Sequence, residues 1–290
     1  MAGKLSSFVF LSLLVFLVAT RPVRTAAEDI RSPEELIDKV MDNYTHINSY
    51  RYTKCTEGDD TFSKEREKAA KQTIKKEVEK EMNVKMKKMD GDETVEKPVI
   101  KKSCLSYKFM KPYLCQMVAI NSDYIPKFME GVMLTYRPDK DPKVFWAKLK
   151  FSPFALKRPI TSESDGFLSG NWTMTLIGMN HYRQNGVMKL AGREKLDGRD
   201  TYLLKFTFPD LDNIKIGKVD IAKWQAPREI AFKIKEQLDT LGKEKQSEAT
   251  YWIDAERFII LKVQNKIAGK THWTETYRDI KINNLSKEDF

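Results

Sequence analysis

The feature that most constrains this chain is an alternation of apolar and polar residues, broken by turn signals, that runs from Lys101 almost to the end. Leu105, Tyr107 and Phe109 share one side of a strand, and Val132, Leu134 and Tyr136 one side of another. Val144 and Trp146 oppose Phe145, Ala147 and Leu149. Between them stand Lys111-Pro112, Asn121-Ser122-Asp123 and a proline-bounded cluster at 137–142. A second series follows: 188–196 turns at Asp197-Gly198 into 201–208, and strands recur at 249–254, 257–266 and 271–282. Strand side chains alternate between faces, so each run can bury one face only, and short turns make neighbours antiparallel. The pattern predicts a mainly β, α+β chain built from two antiparallel meanders. With 13 Gly, 11 Pro and 3 Cys in 290 residues, collagen-like, low-complexity and disulfide-scaffold architectures are excluded. A hydrophobic fraction of 41% suffices for a core.

Two segments carry a helical period. Ser32-Pro33-Glu34-Glu35 combines a capping serine, a proline at the first helical position and a glutamate that reaches back. Leu36, Ile37, Val40, Met41, Tyr44 and Ile47 then mark one face, which predicts a helix over about 33–47. Tyr50 to Lys54 reads as an opening strand. Over 164–183, Leu168, Trp172, Leu176 and Met179 repeat at three or four, with Gly166, Gly170 and Gly178 making the helix irregular. His181 near its end is read as a surface residue. Two stretches interrupt the strands: an insertion at 209–246 and a charged excursion at 62–100. Residues 62–90 alone hold ten Lys or Arg and six Asp or Glu. That segment suits a charge-laced helix, a mobile excursion or a hairpin turning at Asp90-Gly91.

The N-terminal segment sets the compartment. Lys4 precedes a twelve-residue apolar run from Phe8 to Ala19, broken only by Ser12, and Thr25-Ala26-Ala27 supplies small residues for cleavage. Twelve residues span roughly 18 Å as a helix, short of the ~30 Å hydrocarbon core. Residues 1–27 are therefore read as a cleaved signal peptide and 28–290 as the mature domain. Removing Lys4, Arg21 and Arg24 lowers the net charge from +10 to +7. No segment concentrates arginine with aromatic platforms, so nucleic acid is not implied, and an anionic membrane leaflet is the more natural attraction.

Cys55, Cys104 and Cys115 are an odd set for an oxidising compartment. Cys104 and Cys115 fall on neighbouring strands and form the candidate disulfide; Cys55 with either is the alternative, as are three buried thiols. His46, His181 and His272 are scattered, with no metal-ligand spacing, so neither metal nor cofactor is implied. GxSxG, Walker, HExxH and GxGxxG motifs are absent. Asp139/Asp141 and Asp197/Asp200 sit in turns that explain them. The expectation is a non-enzymatic protein.

The C-terminal third carries a more specific pattern. GREKLDGRDTYLLKF, ATYWIDAERFIILKVQNKIAGK and TETYRDIKINNLSKEDF resemble the outer-membrane lipoprotein carrier and sorting family, which includes the periplasmic carrier, its outer-membrane receptor and an envelope-stress sensor domain. Trp252, Ile253, Asp254, Tyr277, Asp279, Ile280, Asn283 and Phe290 carry the likeness. The resemblance implies a half-open antiparallel barrel with helices covering its concave face. It also implies a monomeric periplasmic carrier for acyl chains of lipids or lipoproteins, served by an inner-membrane release complex or an outer-membrane receptor. A sensor or protein-interaction module of the same fold is the alternative. The charged excursion and the insertion exceed what the compact carrier needs.

Such a face binds hydrocarbon without polar chemistry, at about 0.8 kcal/mol per buried methylene, so that three chains could be held. By alternation, its lining is expected to be Tyr107, Phe109, Met117, Leu134, Tyr136, Trp146, Leu204, Phe206, Trp252 and Ile260. Leu36, Val40, Leu168, Trp172 and Leu176 would lie on the helical lid. Any of these residues would serve equally as ordinary core.

Overall fold

The computed structural model describes residues 30–59, 100–123, 130–160, 168, 172–208 and 246–290. The expected signal peptide, the charged excursion up to residue 99 and the insertion from 209 to 245 lie outside them.

Helix α1 (Pro33–His46) starts where its cap dictates: the Ser32 hydroxyl accepts from the Glu35 N–H at 3.1 Å, and the Glu35 carboxylate accepts from the Arg31 N–H. Leu36, Ile37, Val40 and Tyr44 form its buried stripe. Strands β1 (Ser49–Asp59), β2 (Ile100–Met110), β3 (Leu114–Ser122), β4 (Met133–Tyr136), β5 (Val144–Lys148) and β6 (Leu156–Pro159) make the first meander. Helix α2 (Trp172–Asn185) follows, and Leu168 ahead of it is also helical. The second meander is β7 (Val187–Leu196), β8 (Arg199–Thr207), β9 (Gln246–Asp254), β10 (Ile260–Ile267) and β11 (Lys270–Ile282). Its hairpins turn at Asp197-Gly198 and Ala268-Gly269, all four residues with positive φ, the geometry that matches strand twist in a two-residue loop.

All eleven strands form one antiparallel sheet in the order β6-β5-β4-β3-β2-β1-β11-β10-β9-β8-β7. The meanders meet in the middle, where β1 pairs with β11 from Tyr50↔Ile282 to Gly58↔Trp273. Edges β6 and β7 do not pair with each other, so the barrel stays open. The chain must cross from one edge to the other, and α2 makes that crossing over one face of the sheet. This is why α2 is buried nearly all round, with Trp172, Leu176, Ile177, Met179, His181 and Tyr182 all covered. The expected surface position of His181 is thus corrected: it is 4% exposed, and burial lowers its pKa. Helix α1 lies on the same face. It touches β7, while its Tyr44 hydroxyl accepts from the Ile260 N–H on β10, as a sheet curled around the helix allows.

The cysteine pairing also differs from the candidate pair. Cys55 and Cys104 are direct cross-strand partners on β1 and β2 and form the disulfide. Cys115 pairs across β2–β3 with Phe109, five residues along the strand from Cys104. Five residues are roughly 17 Å, and an odd number places the two cysteines on opposite faces. Cys115 is free and buried.

Candidate functional site

The helix-covered face is aromatic. Tyr50 and Tyr52 project from β1, Tyr107 and Phe109 from β2, and Tyr277 from β11. Trp172 stands at the centre, at the start of α2, with ring centroids 4.6 Å from Tyr50, 4.9 Å from Tyr52 and 5.1 Å from Tyr44 of α1. Edge-to-face and offset contacts of this kind lock large rings in place.

A cleft of about 340 Å³ opens among α1, α2 and the β1–β2 end of the sheet. Met41, Tyr44, Ile47, Tyr50, Phe109, Trp172 and Leu176 give it an apolar wall; Asp42, Thr45, Lys111 and Thr173 are the polar members. Lys111 is held at the mouth by α1, donating to the carbonyls of Thr45 at 2.7 Å and Tyr44 at 3.4 Å. Those carbonyls end the helix and would otherwise lack partners. Partial burial lowers the Lys111 pKa.

Two polar atoms of the wall stand out. The Tyr50 hydroxyl and the Trp172 indole N–H are buried with no hydrogen-bond partner among the described residues. The Trp172 main chain approaches the Tyr50 hydroxyl without completing a well-formed bond. Buried polar groups nearly always find partners, and each orphan costs about 1–3 kcal/mol. Both residues line the cleft with their rings, while these two polar atoms are covered.

Farther along the same face lies a charged cluster. Lys54 on β1 meets Glu275 on β11 at 2.9 Å, with side chains only 12% and 16% exposed. The Tyr277 hydroxyl donates to Glu275 at 2.8 Å and also meets the Thr175 hydroxyl of α2 at 3.0 Å. Lys54 lies over the Tyr107 ring at 5.9 Å. This network fastens α2 to the central strands.

Of the expected lining, Phe109, Trp172 and Leu176 border the cleft. Leu36, Val40, Tyr107, Tyr136, Leu168, Leu204, Phe206 and Ile260 are packed into the core, with Met117 and Leu134 against it. Trp146 and Trp252 require correction, because both lie on the opposite face. Trp252 alternates with Ala249, Tyr251 and Ile253, which are core, and its indole donates to Glu194 under the Lys262 ammonium. Trp146 alternates with the core-facing Phe145 and pairs with Thr135. The residues not anticipated as lining are Met41, Tyr44, Ile47, Tyr50 and Lys111, with the polar Asp42, Thr45 and Thr173. Met41, Tyr44 and Ile47 belong to the apolar stripe read for α1, so its C-terminal half was the available signal. The cleft volume lies near the lower end of the roughly 300–1,000 Å³ range of ligand sites.

No helix among the described residues is long and apolar enough to cross a membrane. No family model and no curated protein matches the chain. Among solved structures it is similar to the Mycobacterium tuberculosis lipoprotein LppX, with 13% identity over 88% of this chain and 99% of that one and a TM-score of 0.43. It is also similar to a LolA superfamily protein from Nitrosomonas europaea, with 9% identity, 90% and 98% coverage and a TM-score of 0.29. A third likeness is to the Pseudomonas aeruginosa MucA/MucB complex, with 8% identity, 89% and 59% coverage and a TM-score of 0.38. Likeness at these identities and scores concerns the path of the chain alone and places no ligand or partner on this protein.

Proposed function

We propose that this chain is an exported, non-enzymatic binding protein that shelters the hydrocarbon part of a lipid or lipoprotein between its two helices and its sheet. The observation that carries the reading is the cleft itself: an aromatic wall between two helices and a sheet, with an ammonium at its mouth. Each methylene buried there would supply about 0.8 kcal/mol. Lys111 would favour a ligand whose chain ends in a polar, oxygen-bearing head. Release to a membrane acceptor in the periplasm would complete a carrier cycle.

The test is mass spectrometry of lipids extracted from natively purified protein, joined to displacement of a hydrophobic fluorophore by lipid. The expected result is a single-chain or partly inserted lipid, with fluorophore binding lost in Leu176→Trp, which fills the cleft. Protein free of lipid that binds no fluorophore would overturn the reading and favour the sensor or interaction module.

A further inference from the structure

The hairpin of β5 and β6, at one edge of the sheet, carries apolar side chains that nothing among the described residues covers. Phe151 is 90% exposed, Phe154 75%, Leu156 53% and Leu149 49%. Single exposed leucines are ordinary, whereas four large apolar residues within eight positions are a patch. The tip holds them outward by local bonds. The Ser152 N–H donates to the Leu149 carbonyl at 3.1 Å, and the Ser152 hydroxyl both donates to the Phe154 carbonyl at 2.8 Å and accepts the Phe154 N–H at 3.2 Å. The Lys150 stem lies across Gly131, where an added Cβ would meet it at 2.9 Å, and its ammonium sits over the Phe151 ring at 5.5 Å. The rings are thus presented on a braced turn.

Charge selects the partner. Lys148, Lys150 and Lys157 lie nearest the tip, Arg158 pairs with Phe145 farther down and Lys143 is at the base; no acid occurs from Pro142 to Ser162. The whole chain holds 41 Asp and Glu against 51 Lys and Arg, and residues 97–122 are also free of acids. Exposed rings beside lysines match the interface of an anionic bilayer, where rings enter the headgroup boundary and ammonium groups meet phosphates. An acidic protein groove would match the cations but would leave rings at the tip in water.

We infer that the β5–β6 hairpin is a membrane-docking finger that inserts Phe151 and Phe154 into an anionic lipid surface while the surrounding lysines and Arg158 hold the headgroups. This is independent of the cleft, since a chain whose cleft is empty would still dock.

The test uses the full chain with vesicles of phosphatidylcholine alone or mixed with phosphatidylglycerol. Cosedimentation is expected with the mixed vesicles only, weakening with salt. Phe151→Ala/Phe154→Ala is expected to lose more than about tenfold in affinity without a change in melting temperature. Lys150→Gln/Lys157→Gln/Arg158→Gln is expected to lose about fivefold per charge at low salt. A local readout excludes attachment through another segment: a fluorophore on Ala155→Cys should shift blue with mixed vesicles and be quenched by lipid-borne nitroxides. Cys115, being buried, stays unlabelled. A label that remains in water, or vesicle binding unchanged in Phe151→Ala/Phe154→Ala, would overturn the inference. So would conversion of a dimer to a monomer by that double variant with vesicle binding unaltered, which would assign the patch to a second copy.

Discussion

At the scale of single residues, Tyr50 shows why identity and position are separate questions. Its ring is held on β1 by Phe109 at 4.9 Å and by Trp172, and a phenylalanine would pack the same way. Among the described residues its hydroxyl has no completed bond, so in the empty protein it contributes nothing that water would not supply better. Tyr50→Phe should therefore leave urea stability unchanged or raise it by up to about 1 kcal/mol. A loss of more than about 1 kcal/mol in the empty protein would show that the hydroxyl has a structural partner. That Tyr50 sits on a strand was readable from the sequence; that its hydroxyl is orphaned was not, because a lost partner is a property of three-dimensional neighbours.

Elements were legible where the determining forces are local. The cap and stripe of α1 predict its span to within a residue, and Asp197-Gly198 predicts a hairpin through the conformations its residues tolerate. Alternation identified strands but not which side faces inward. In β9 both sides are large, with Tyr251 and Ile253 against Trp252, so size misleads and only the helices decide. Register was equally hidden: a slip at Cys104/Leu105 and the true partner of Cys115 depend on pairing, not composition. The Lys54–Glu275–Tyr277–Thr175 network joins three elements and is worth testing as one. Glu275→Gln leaves the Lys54 ammonium largely buried without its counter-charge and should cost about 3 kcal/mol in urea unfolding. Lys54→Met combined with Glu275→Leu should cost much less, since neither charge is then left alone. Equal costs for the two variants would argue against the pair acting as a buried unit.

Across the molecule, burial of ionisable groups sets a pH window. Tyr44, Tyr50, Tyr52, Tyr107, Tyr251 and Tyr277 have pKa values raised above 10.0, chiefly by burial, and Cys115 is raised above 9.0 for the same reason. Above pH 9 the unfolded chain gives up protons that the folded chain keeps, so stability is full below that pH and falls as pH rises. His181 acts oppositely. Its folded pKa is lowered from 6.5 by burial, so the unfolded chain binds a proton first and stability falls as pH drops below that value. Unfolding free energy should form a plateau between about pH 6.5 and 9, and His181→Gln should flatten part of the acid limb. An acid limb identical in His181→Gln would remove that residue from the account.

The β1–β11 seam has a consequence for biogenesis. The strand made first finds its permanent neighbour in the strand made nearly last, so the two halves of the sheet stay unstitched until the tail of the polypeptide is free. In the export proposed above, that seam would close only after the last strand has crossed the membrane.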